Sequence, residues 1–250
     1  MWRTSARLRK ARTQHLYILS DPAIMKKHFA LTFISITFFL FSKSQDKVFE
    51  YGLHAGLNLN TAFGTAVNKD YKDNLLGFNI GGHFKINTSN RFGIKAILHY
   101  EQNGWTYRSL TFENNTGTTF GKGDVLFKLN YIYLPILAEY SFGNKLKFYT
   151  DAGIFLGALL NNQIITKIKE PVPPNEITTT KSKSDSRRPV NFGISFGAGL
   201  QIPFSPTLKL GVNILDDYGL LNINKPTGSS TSTTIKTNSL SLSLGIVFTL

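Results

Sequence analysis

The amino-acid sequence predicts an all-β protein: an eight-stranded antiparallel up-and-down transmembrane β-barrel with short periplasmic turns and long extracellular loops. Three observations predict it. Residues 239–250 place Leu240, Leu242, Leu244, Ile246, Phe248 and Leu250 at every second position, with mostly serine, glycine or threonine between them, which is the period of a strand with one oily face. Segments of this kind recur seven times upstream. The connections between them alternate long and short, as they do in a barrel standing in a membrane and have no reason to do in a soluble sandwich.

The first strand is expected over residues 50–60, with Tyr51, Leu53, Ala55, Leu57 and Leu59 opposite Gly52, His54, Gly56, Asn58 and Asn60. The second, 76–86, sets Leu76, Phe78, Ile80 and Phe84 against Gly77, Asn79, Gly81, His83 and Lys85, and the third, 91–101, sets Phe92, Ile94, Ala96, Leu98 and Tyr100 against Gly93, Lys95, His99 and Glu101. In the fourth, 128–142, Ile132, Leu134, Ile136, Ala138 and Tyr140 oppose Tyr131, Tyr133, Pro135, Glu139 and Ser141. The fifth, 147–160, turns Phe148, Ala152, Ile154 and Leu156 away from Tyr149, Asp151, Gly153 and Gly157. The sixth, 188–202, opposes Phe192, Ile194, Phe196 and Leu200 to Asn191, Gly193, Ser195, Gly197, Gly199 and Gln201. The seventh, 207–217, carries Leu208, Leu210, Val212 and Ile214 against Lys209, Gly211 and Asn213, and residues 239–250 form the eighth.

Residues 87–90, 143–146 and 203–206 are expected as tight turns, and 61–75, 102–127, 161–187 and 219–238 as long polar loops. Eight strands so connected bring both ends of the barrel to the short-turn side. About ten residues tilted by ~45° span the apolar thickness of an outer membrane, and closure leaves no unpaired backbone in lipid. Tyr51, Phe84, Phe92, Tyr140, Phe142, Phe148, Phe204 and Phe248 cluster toward the short-turn end as an interfacial girdle.

The composition agrees. Hydrophobic residues make up 42% and charged residues 17%, with 20 Phe, 10 Tyr and no cysteine, so neither a disulfide framework nor a thiolate metal site is available. The formal charge of +13 suggests nucleic acid until it is divided along the chain. In residues 1–44 eight cations face Asp21 alone, which leaves +7 there and +6 in the remainder. Residues 25–44 read as a secretory signal peptide, with Lys26-Lys27, an apolar run from Phe29 to Phe41, and small residues before Gln45. Residues 1–24 are expected to be an over-extended N-terminus, and 45–250 the barrel. The expected location is the cell outer membrane, and no nucleic-acid partner is expected.

The strands also resemble the PorT-like family of outer-membrane β-barrel proteins. The resemblance is carried by Leu129-Asn130-Tyr131-Ile132-Tyr133-Leu134-Pro135-Ile136-Leu137, Asp151-Ala152-Gly153-Ile154-Phe155-Leu156-Gly157, Asn191-Phe192-Gly193-Ile194, Gly197-Ala198-Gly199-Leu200, and Tyr218-Gly219-Leu220-Leu221-Asn222-Ile223. It implies an eight-stranded outer-membrane barrel and, for some members, an accessory role in type IX protein secretion.

Eight strands make a lumen just wide enough for side chains to fill, so no solute pore is expected. Lys85, Lys95, Glu101, Glu139, Asp151, Gln201 and Lys209 face inward and are expected to pair as a polar plug, because isolated charges in a narrow lumen would not persist. His54, His83 and His99 also face inward, but one lies mid-strand and two toward opposite strand ends. The expectation is therefore three separate, neutral, hydrogen-bonded histidines rather than a metal or catalytic site. Lys167, Lys169, Lys181, Lys183, Arg187 and Arg188 mark the third long loop as a solvated basic external loop, able to meet lipopolysaccharide phosphates or an acidic partner. Gly121-Lys122-Gly123 lacks the spacing of a phosphate loop, and no motif calls for a cofactor. The function expected is a non-enzymatic structural or interaction role through the external loops. Its partners would be outer-membrane lipid, lipopolysaccharide, the barrel assembly machinery and secretion-system proteins. The alternative is an outer-membrane lipid-modifying enzyme.

Overall fold

A computed structural model describes residues 49–114, 116–171, 177–184, 186–225 and 233–250. The expected signal segment 25–44, and residues 1–24 before it, lie outside the described residues.

Among the described residues nine antiparallel strands are formed: β1 (Phe49–Phe63), β2 (Lys72–Asn87), β3 (Phe92–Glu113), β4 (Thr119–Phe142), β5 (Lys147–Pro171), β6 (Thr178–Lys183), β7 (Val190–Pro203), β8 (Leu208–Gly219) and β9 (Lys236–Thr249). Eight of them close a ring in chain order, β1-β2-β3-β4-β5-β7-β8-β9, sealed by β9 against β1. Every ring strand therefore has two partners, and no edge is left within the apolar belt.

The wall is apolar outside and polar inside. Leu53, Ile80, Leu98, Leu134, Ile154, Phe196, Ile214 and Leu244, one from each ring strand, are all exposed. Residues of the opposite parity on the same strands turn inward: Lys95, His99, Glu139, Asp151, Ser195 and Ser243 are buried. This inversion of a soluble core is the arrangement a barrel in lipid requires. The expected girdle forms as ring contacts at the short-turn end, with Tyr51 stacked on Phe248 at 5.3 Å, Phe92 against Tyr140 at 5.0 Å, and Phe142 against Phe148 at 5.7 Å.

Two expectations are corrected. Residues 102–127 and 161–187 are not simply long loops: β3, β4 and β5 run to 22, 24 and 25 residues, and β6 adds a ninth strand on β5. About 9–11 residues suffice to cross the membrane, so the distal half of each of these strands stands beyond the belt. There no lipid marks the outer face and alternation fades: the lower part of each extension still turns Trp105, Leu129 and Ile165 into the buried interior, and pairing is maintained by the neighbouring strand rather than by an oily stripe.

Glycine on the inner wall makes room for bulk opposite it. A Cβ at Gly157 would lie 2.4 Å from a Tyr133 ring carbon, and one at Gly199 would lie 2.4 Å from the Tyr149 ring. Small against large is how a narrow barrel fills its interior.

Candidate functional site

The lumen is layered. At the short-turn end, charged side chains from six strands form one alternating ladder. Lys209 Nζ lies 2.7 Å from Glu50 Oε1, and Lys85 Nζ lies 3.5 Å from Glu50 Oε2 and 2.5 Å from Glu139 Oε1. Lys95 Nζ lies 3.0 Å from Glu139 Oε2 and 2.6 Å from Asp151 Oδ2, and sits 4.4 Å from the Tyr149 ring centroid. Lys85 and Lys95 are direct cross-strand partners, an arrangement of like charges that is unfavourable by itself. Glu139 cancels it by giving one oxygen to each, while Ser141 Oγ donates a further bond to it at 2.8 Å. Three lysines thus meet three carboxylates with no charge left over.

Five of the residues expected in the polar plug, Lys85, Lys95, Glu139, Asp151 and Lys209, belong to this ladder. Gln201 lies beside it, on a lumen cavity of about 40 Å³, with space for only a few water molecules. Glu101 does not belong to it, which corrects the expected single network. It sits higher, beyond the histidines. Glu50, which links Lys209 to Lys85, was missed although the alternation signals it: residue 50 shares the parity of inward Gly52 and His54.

The histidines require a second correction. Expected at different heights, they form one cluster: the ring centroids of His54 and His83 are 6.4 Å apart, and those of His54 and His99 are 5.9 Å apart. The cause is register. Gly81 pairs with both His54 and His99, and Gly52 pairs with His83. The two glycines leave the intervening wall bare, so a Cβ at Gly52 would collide with the His83 ring. The expected hydrogen bonding is weak at His99: although the side chain is buried, Nδ1 has no hydrogen-bond partner and Nε2 has only a 3.5 Å contact with Glu101 Oε2.

Just beyond lies a group not anticipated from sequence. One ligand atom each from His99, Glu101 and Asp217 falls within 4.8 Å of the others, and His99 Nε2 is 3.5 Å from Glu101 Oε2. Asn103 Nδ2 donates to Glu101 Oε1 at 3.1 Å, and Ser195 Oγ donates to Asp217 Oδ1 at 2.5 Å. Asp217 follows the parity of Lys209, Gly211 and Asn213, so its inward direction was readable. Its meeting with Glu101 was not.

The far end of the lumen is closed by packing. Trp105, Leu129, Tyr131, Tyr133, Phe155, Ile223 and Ile235 form a buried cluster, with Trp105 stacked on Phe127 at 4.7 Å and Tyr131 on Tyr133 at 5.1 Å. Asn191 Nδ2 donates to Tyr133 Oη at 3.1 Å. Among the described residues, a charged ladder fills one end of the lumen and an aromatic plug the other.

Outside, the expected basic loop is a β-hairpin. Lys167 pairs with Thr179, Ile165 with Lys181 and Gln163 with Lys183, so Lys167, Lys181 and Lys183 share one face and all three are exposed. Lys169 reaches Asp124 at 2.6 Å. Partial burial alone would raise the Asp124 carboxyl, but the Lys169 ammonium, the Ser109 N–H and the charge of Arg108 outweigh it and hold the group below its ordinary value. Arg187 is corrected: it is buried, stands 5.4 Å from the Trp105 ring centroid, and donates from Nη1 to Asn224 Oδ1 at 2.7 Å. It belongs to the plug rather than to the solvated hairpin. Arg188 is half-buried beside it.

A closed antiparallel ring, oily toward its surroundings and filled with paired charges within, defines an outer-membrane-type β-barrel. The chain belongs to the outer membrane protein beta-barrel domain family, whose profile matches residues 41–225, and its location is the outer membrane. No curated protein matches it by sequence. Among solved structures, Ail of Yersinia pestis is 13% identical, covering 80% of this chain and 98% of its own, with a TM-score of 0.39. Neisserial surface protein A is 15% identical over 79% of this chain and 96% of its own (TM-score 0.42). A major outer membrane protein from Thermus thermophilus is 13% identical over 82% of this chain and 100% of its own (TM-score 0.44). Likenesses this distant say nothing of ligand or partner.

Proposed function

We propose that the protein is a non-enzymatic barrel that works as an interaction platform at the cell surface, through the β3–β4 and β5–β6 hairpins that project from its mouth. The observation that carries this reading is the exposed lysine face of β5–β6 on strands continuous with the membrane wall. Backbone already paired in a ladder spends less ordering entropy when it binds than an unpaired loop does, and ammonium groups on one face suit phosphate or carboxylate partners. The lumen supports the non-enzymatic part: its histidines point inward, away from lipid, beneath an aromatic plug. Lipopolysaccharide phosphates and acidic secreted proteins both fit the face. The resemblance to PorT-like barrels favours an accessory role in type IX secretion, with delivery by a signal peptide at residues 25–44.

The test is a gene deletion complemented by the wild-type chain or by the Lys167→Ala/Lys181→Ala/Lys183→Ala variant. Secretion and envelope integrity should fail in the deletion, recover with wild type, and recover incompletely with the variant at equal barrel abundance. Normal secretion and envelope integrity in the deletion strain would remove the accessory role. Full recovery by the variant would remove the lysine face as the contact.

A further inference from the structure

We infer that His99, Glu101 and Asp217 hold a divalent cation of the zinc class, which ties β3 to β8 across the lumen.

Charge balance is the first reason. The ladder below closes on itself, three lysines against three carboxylates, whereas Glu101 and Asp217 are buried at 1% and 3% exposure. Among the described residues, no lysine or arginine nitrogen lies within 4 Å of either carboxylate. His99, 3.5 Å from Glu101 Oε2, is the one basic side chain among these residues in contact, and a single imidazole does not match two carboxylates withdrawn from water. A doubly charged cation matches them in number.

Coordination chemistry is the second. His99 is 4% exposed, its Nδ1 has no hydrogen-bond partner and its Nε2 makes only the long 3.5 Å contact with Glu101 Oε2; an imidazole so placed is a ready metal ligand. Imidazole with two carboxylates is a nitrogen–oxygen set that suits zinc and its first-row neighbours better than calcium or magnesium. Ligands about 2.1 Å from a tetrahedral ion stand roughly 3.4 Å apart. The His99–Glu101 distance of 3.5 Å already meets this, and all three ligand atoms lie within 4.8 Å of one another.

The surrounding donors are the third. Asn103 holds Glu101 through Oε1, and Ser195 holds Asp217 through Oδ1. The other oxygen of each carboxylate is left for the ion, which is the way outer hydrogen bonds orient metal ligands. β3 and β8 stand on opposite sides of the ring, four strand steps apart through β2, β1 and β9. An ion here is therefore a cross-brace, and with the mouth plugged it enters before the barrel closes.

The experiment refolds the full chain from urea into detergent micelles with Zn²⁺ present, washes it with chelator, and counts the retained metal by mass spectrometry. Wild type should keep about one equivalent, while Glu101→Gln and Asp217→Asn should keep at least about tenfold less. Co²⁺ refolded into wild type should give the visible bands of a tetrahedral inner-sphere site. No retained zinc in folded wild type, equal zinc in the variants, or an aqua-ion cobalt spectrum each overturns the proposal. If a variant fails to fold, the two wild-type measurements still decide it.

Discussion

The two ends of the lumen solve one problem, filling a narrow cylinder, by different means. The short-turn end is filled with charge, and every charge there has an opposite neighbour: Lys209, Glu50, Lys85, Glu139, Lys95 and Asp151 alternate in sign across six strands. The outer end is filled with rings, and the buried polar groups among them are mostly neutral amides and hydroxyls such as Asn103, Asn191 and Thr237, with Arg187 laid against Trp105. Between the two lies the His99, Glu101 and Asp217 group, which has the carboxylates of the first region without its lysines. Burial tolerates charge by sign balance or avoids it by packing, and the middle layer does neither by itself.

The sharpest way to break this comparison is Glu139→Gln. It leaves Lys85 and Lys95 facing one another with a neutral amide between, and should cost about 3–5 kcal/mol, read as urea unfolding in micelles followed by Trp105 emission. A loss under about 1 kcal/mol would mean that the ladder is solvated and the contrast false. Gly157→Val probes the packed end by forcing a side chain into the Tyr133 ring. In the same assay it should cost about 1–3 kcal/mol as overpacking.

Arg187→Ala strips the plug of its ring contact and its bond to Asn224, for about 1–2 kcal/mol. A shift in Trp105 emission should accompany it, and an unmoved spectrum would place the arginine outside the plug. The middle layer should answer with the opposite sign. In chelator-treated protein Asp217→Asn removes an unmatched charge and should raise stability by about 1 kcal/mol, whereas a loss would show that the carboxylate is balanced by something within the chain.

The smallest effect belongs to the exposed hairpins, where solvent weakens every charge. The Asp124 carboxyl is held below its ordinary value. Its contact with Lys169 therefore contributes stability that is fully present above that ordinary value and fades as pH falls through the lowered one. Amide exchange in the distal β4–β5 segment should quicken slightly under acid, while exchange in the membrane belt stays unchanged.

The membrane-spanning part was legible because lipid on one side and a filled lumen on the other impose a strict period of two. Leu240 to Phe248 and Lys85, Lys95, Glu139, Asp151 and Lys209 could all be assigned to a face from parity alone. Trp105 and the distal halves of β3, β4 and β5 were not legible, because beyond the belt no oily face marks the strand. Arg187 was misread for a related reason: a cation in a polar stretch has the same signature whether it is solvated or laid on a tryptophan.

From its sequence alone, this protein determined its fold class, the face each belt residue takes, and the sign of the charges within, since alternation is a local property. The tertiary structure alone decided which inward residues meet. The β1–β2 register is set across a long outer connection, and it is that register which lays Gly81 between His54 and His99. Only ring closure brings Asp217 of β8 across to His99 and Glu101 of β3. Distances across a lumen depend on stagger and closure, and no single strand carries that information.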